Sequence, residues 1–93
     1  MSFSIDGKTV IVTGAANGIG AALARHFAEN GANVMCADID EKALKKDLGE
    51  SADDSNVRYF AGDLREKLTL ANLLSATVDA FDRVDVLVNA SRQ

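Results

Sequence analysis

Proline and tryptophan are absent from these 93 residues, and cysteine and tyrosine occur once each. A lone cysteine, Cys36, has no partner for an internal disulfide. That excludes the cross-linked scaffolds of small secreted proteins and points to a reducing, cytoplasmic compartment. Apolar runs are only a few residues long, where a membrane span needs roughly 20. The first seven residues carry Asp6 and no basic side chain, so neither a signal nor a transit peptide is expected. An excess of positive charge is also missing. Ten Lys and Arg stand against 14 Asp and Glu, a net charge of −4, which disfavours nucleic acid as a partner because phosphate backbones are bound by basic surfaces. What remains is ordinary globular material, 47% apolar and 26% charged, in a length that allows one small domain or a piece of a larger one.

The pattern along the chain alternates. Residues 9–13, Thr-Val-Ile-Val-Thr, form a β-branched run ending at Gly14, which reads as a buried strand. From Ile19 the period changes to that of a helix. Ile19, Ala22, Leu23, His26 and Phe27 fall on one face, and Asn30-Gly31 supplies the expected stop. A second strand spans 34–37 and ends in Asp38. A short charged helix at 41–48 follows, with Ala43, Leu44 and Leu48 as its inner face, then a polar loop over 49–56. A third strand covers 57–61 and ends in Gly62-Asp63. A longer helix over 66–81 carries the stripe Leu70, Leu73, Leu74, Thr77, Val78 and Phe81, and a fourth strand covers 84–88. No internal repeat or linker divides the chain. The order β-α-β-α-β-α-β, with near-continuous apolar strands, predicts an α/β fold: a parallel sheet covered on both faces, with right-handed crossovers.

Gly14-Ala15-Ala16-Asn17-Gly18-Ile19-Gly20 lies between the first strand and the first helix. A glycine turn there is placed to hold a pyrophosphate, because the helix N-terminus offers unpaired N–H groups and partial positive charge, and a Cβ would block the approach of phosphate oxygens. The competing reading is a plain tight turn. Asp38 ends the second strand eighteen residues past Gly20, near the spacing at which an acid accepts hydrogen bonds from an adenosine ribose. Its charge would repel a 2′-phosphate, and Ala16, Asn17 and Ile39 offer no cation to hold one, so NAD is expected over NADP. For Asp38 alone the competing reading is a solvated strand end or a cap for the helix that begins at Glu41.

These residues together resemble the short-chain dehydrogenase/reductases. Thr13-Gly14-x-x-x-Gly18-x-Gly20, Asp38-Ile39, Gly62-Asp63-Leu64 and Asp85-Val86-Leu87-Val88-Asn89-Ala90 are similar to four of that family's motifs, in order, over nearly the whole chain. The resemblance implies a Rossmann-like doubly wound sheet of strand order 3-2-1-4. It implies that Asp63 bonds the adenine amino group and the Leu64 backbone meets the same ring. Ile39 would pack on the adenine face, and Ile19 would line the pyrophosphate–nicotinamide side. The Asn89-Ala90 backbone would support the adenosine ribose and brace the glycine turn. One departure stands at the fourth motif: the family commonly has Asn-Asn-Ala-Gly, whereas here one Asn is missing and Ser91 stands where Gly is usual.

Family catalysis requires a Tyr followed four residues later by Lys, with a Ser about a dozen residues before the Tyr. A phenol must exchange a proton with the substrate oxygen, and a cation must lower its pKa from near 10. The one tyrosine, Tyr59, lies in the third strand, and the residue four later is Asp63. Residues 1–93 therefore read as the N-terminal, NAD-binding half of an oxidoreductase that exchanges hydride between nicotinamide and an alcohol or carbonyl substrate. The catalytic half would lie outside this sequence, with a complementary C-terminal chain or a homo-oligomer covering the fourth strand. A non-catalytic nucleotide-binding or interaction module is the alternative, and an S-adenosylmethionine-dependent methyltransferase half fits the glycine spacing poorly. Cys36 reads as a buried inert thiol, and His26 as a helix-edge residue with no metal-spaced partner. Arg25, the 41–47 charges and Arg65-Glu66-Lys67 read as solvated faces.

Overall fold

The computed structural model describes residues 5–48 and 56–90. Its elements are β1 (Thr9–Thr13), α1 (Gly18–Glu29), β2 (Asn33–Asp38), α2 (Glu41–Leu48), β3 (Val57–Ala61), α3 (Lys67–Phe81) and β4 (Val86–Asn89). The four strands form one sheet of order β3-β2-β1-β4 with every pairing parallel. This is the doubly wound Rossmann arrangement that the alternation and the motifs predict. The Leu48 side chain, most of the 49–56 loop and Ser91 lie outside the described residues.

Two-residue alternation along the central strands sends side chains to both faces, and both are covered. Val10 and Val12 of β1 and Val34 and Cys36 of β2 pack with Ala21 and Ala24 of α1 and Leu44 of α2. Ile11, Met35 and Ala37 point the other way, onto Leu73 of α3. The central strands β1 and β2 are continuous apolar runs because neither of their faces meets water, whereas the edge strands β3 and β4 are mostly exposed.

Which helix faces turn inward differs in part from the expectation: Leu44 of α2, Leu73 and Thr77 of α3, and, partly buried, Phe27 and Phe81 pack on the core as expected. In α1 the buried positions are Gly20, Ala21 and Ala24, while Ile19 is 69% exposed and His26 is exposed. Small residues face the sheet because the helix starts directly on the turn after β1 and has no room for larger ones. A Cβ on Gly20 would run into the Gly14 carbonyl. In α3 only Leu73 and Thr77 of the predicted stripe are fully buried, whereas Leu70, Leu74 and Val78 remain largely exposed. Boundaries shift slightly. β4 begins at Val86 rather than 84, because at Asp85 the Thr9 N–H donates to the side-chain carboxylate (2.8 Å) instead of to a strand carbonyl. Glu66 occupies the N-cap position of α3, without a side-chain capping bond, rather than opening the helix.

Candidate functional site

All four strands end on one side of the sheet, and the turns that follow them meet there. Gly14 leaves β1 with φ +72°, a conformation that glycine adopts without strain, and so starts the turn into α1. Asn17 is the N-cap. Its Oδ1 accepts the Gly20 N–H at 2.8 Å, and its Nδ2 donates to the Ala90 carbonyl at 2.9 Å. One amide thus ties the first turn of α1 to the residue after β4. Gly18 and Ile19 open the helix, and their N–H groups have no intrahelical acceptor. A Cβ on Gly18 would meet nothing within 4 Å, so the approach to those N–H groups is open.

Asp38 closes the same turn from the β2 side. Its Oδ2 accepts the Ala16 N–H at 3.0 Å and its Oδ1 the Asp40 N–H at 3.1 Å. The competing role of helix cap belongs to Asp40, whose Oδ1 accepts the Ala43 N–H at 3.0 Å. The Asp38 carbonyl also accepts the Gly62 N–H at 3.0 Å, which anchors the turn after β3. On the far side, Thr13 donates from its hydroxyl to Asn89 Oδ1 at 3.0 Å, and the Ala90 N–H donates to the Thr13 carbonyl at 2.9 Å.

These turns enclose a cleft of about 750 Å³. Gly14, Asn17, Asp38, Ile39, Asp63, Leu64 and Asn89 line it, so residues from four separate motifs converge on one space. Gly20 sits beneath the turn, Gly18 and Ile19 lie at the helix start outside the lining, and Ala90 takes part through its backbone. Leu70, Leu87 and Arg65 also line the cleft. Arg65 is solvent-exposed, as expected of a charged stretch, and its guanidinium also grips Asp63, with Nε to Oδ1 at 3.0 Å and Nη2 to Oδ2 at 2.9 Å. That side-chain hydrogen bond, followed by one from the Arg65 backbone N–H, holds the Asp63 carboxyl below the usual carboxylate range. An Asp-x-Arg spacing just after a strand was the available signal.

Comparison with known proteins decides the lineage. The family described as short chain dehydrogenase matches residues 8–91. The chain belongs to the short chain dehydrogenase family. Among relatives of this family, an uncharacterized oxidoreductase of Thermotoga maritima is 38% identical over 86 residues, 91% of this chain and 34% of its own length. D-threitol dehydrogenase of Mycolicibacterium smegmatis is 38% identical over 92 residues, 96% of this chain and 35% of its own. A short chain dehydrogenase/reductase from Burkholderia phymatum, solved in complex with NAD, superposes with a TM-score of 0.85 at 32% identity, over 92% of this chain and 31% of that one. The 3-ketoacyl-(acyl-carrier-protein) reductase of Brucella melitensis, complexed with NADH, superposes with a TM-score of 0.83 at 30% identity, over 90% and 34%. This short chain dehydrogenase chain spans about a third of the length of the curated relatives it matches. Among the described residues, no helix is long and apolar enough to cross a membrane.

Proposed function

We propose that this chain binds NAD(H) in the cleft at the strand ends, as the cofactor-binding half of an oxidoreductase acting on an alcohol or carbonyl substrate. The observation that carries the reading is Asp38, held beside the glycine turn by the Ala16 N–H and facing the same cleft as Asp63. The two relatives solved with NAD and NADH support the choice of cofactor.

The residues present fit such a group. The Gly18 and Ile19 N–H groups and the α1 dipole suit a pyrophosphate, and the open space at Gly18 admits it. Each Asp38 oxygen accepts one backbone N–H and keeps a lone pair for the ribose hydroxyls. Ile39, 63% exposed, offers an apolar face for adenine, with the Leu64 backbone and Asp63 along the ring edge. Asn89 and Ala90 floor the ribose side, with Ala90 linked to Asn17. Arg65 is the cation of this cleft, and Asp63 engages it on two edges. The Asp38 charge therefore sets the preference for NAD over NADP.

When bound, NAD would supply the hydride chemistry, and these residues would bind and orient it. Proton exchange with the substrate needs groups that Tyr59, on β3 with Asp63 four residues later, does not form. Residues 1–93 by themselves are expected to bind without turnover. The test is titration of the chain with NAD and NADP by calorimetry, repeated with Asp38→Ala. The wild type is expected to favour NAD. Losing a charged acceptor should weaken NAD by about 1–3 kcal/mol and narrow the gap to NADP. An unchanged NAD/NADP ratio in Asp38→Ala would remove Asp38 from the ribose site, and no NAD binding by the wild type would end the reading.

A further inference from the structure

The Asp63–Arg65 pair is more elaborate than its location explains. The Arg65 side chain is 87% exposed and that of Asp63 27%, and exposed ion pairs add little to stability. Yet Arg65 approaches the carboxylate three times: Nε and the backbone N–H both donate to Oδ1 at 3.0 Å, and Nη2 donates to Oδ2 at 2.9 Å. The Asp63 carbonyl accepts the Glu66 N–H at 3.1 Å, so the backbone of the pair is a closed turn. A carboxylate offers about four acceptor positions. Three are taken, and the one left lies on Oδ2. Both residues line the cleft.

We propose that Arg65 is a positioning residue for base recognition: it locks the Asp63 carboxylate so that its remaining lone pair serves as a single, oriented acceptor for the exocyclic amine of a 6-aminopurine. This rests on the reading of the cleft as a dinucleotide site, and it assigns the base selectivity of that site. A 6-oxopurine presents a carbonyl at the same place, acceptor facing acceptor, and is rejected. Without the guanidinium only the backbone N–H of residue 65 still holds the carboxylate, at Oδ1, and part of its orienting effect is lost. A fork with two parallel donors fixes the carboxylate plane, which a lysine ammonium does not.

The experiment compares NAD with nicotinamide hypoxanthine dinucleotide, which differs only in the 6-amino group, by calorimetry on wild type, Arg65→Ala and Arg65→Lys, with thermal melts of each. Wild type is expected to prefer NAD by about tenfold or more. Arg65→Ala is expected to cut that preference at least about fivefold, with an unchanged melting midpoint. Arg65→Lys should recover only part of it. A purely structural or long-range electrostatic role would shift both affinities together. Arg65→Ala with the wild-type ratio therefore overturns the proposal while leaving NAD binding standing. Wild type that binds neither dinucleotide overturns the dinucleotide reading and this inference with it.

Discussion

Two glycines of the turn do different work, and substitution separates them. A Cβ at Gly20 would collide with the Gly14 carbonyl and come within 2.9 Å of the Ala15 Cα, all of it backbone that cannot swing aside. Gly20→Ala is expected to destabilise the fold by about 1–3 kcal/mol or more, read as a lower urea midpoint. Gly18 has open space around its missing Cβ. Gly18→Ala should therefore keep the wild-type midpoint while weakening NAD, because the methyl group occupies the approach to the helix N-terminus. At Cys36, burial pushes the thiol up to about 12 from an ordinary 9.0. The native chain then holds a proton that the unfolded chain releases above about pH 9, so stability falls as pH rises from 9 towards 12. Cys36→Ala is expected to flatten that limb in urea titrations at stepped pH. A slope unchanged by the substitution would show that another group causes it.

At the scale of elements, α1 and α3 make the same point about patterning. Ile19, Ala22, Leu23, His26 and Phe27 satisfy the helical period, yet the fully buried positions are Gly20, Ala21 and Ala24, with Phe27 packed partly buried against the core. Periodicity identifies a helix. It does not say which of two adjacent faces is pressed inward when the tightest contact demands the smallest residues. In α3 the same ambiguity separates Leu73, 2% exposed, from Leu74, 50% exposed. Leu73 is the residue of α3 in the core with Ile11, Met35 and Ala37. Leu73→Ala is expected to cost about 2–5 kcal/mol, against well under 1 for Leu74→Ala, in matched denaturant unfolding curves. Equal losses at the two positions would mean that α3 packs on a different face.

At the scale of the molecule, one side of the sheet is left thinly covered. β4 is an outer strand, and Leu87 on it is 65% exposed. Leu87 pairs in register with Ile11, which faces α3. On α3, Leu70, Leu74 and Val78 are 41%, 50% and 46% exposed at successive four-residue steps. An open strand edge beside an apolar helix stripe favours association. Native mass spectrometry of the purified chain is expected to show a dimer or a co-purifying polypeptide, and Leu87→Lys to shift it to monomer. A wild-type monomer at all concentrations would reject this. Parallel pairing and the positions of the glycine turn and Asp38 were legible from the chain alone, because they depend on local signals: run length, period and glycine placement; the strand order came only with the family resemblance. The inward faces of the helices were legible only in part, at Phe27 of α1 and at Leu73, Thr77 and Phe81 of α3; Asp40 as the cap of α2 and the grip of Arg65 on Asp63 were not. Those depend on how closely two backbones approach and where a long side chain comes to rest, and such distances exist only once the sheet has drawn the turns together.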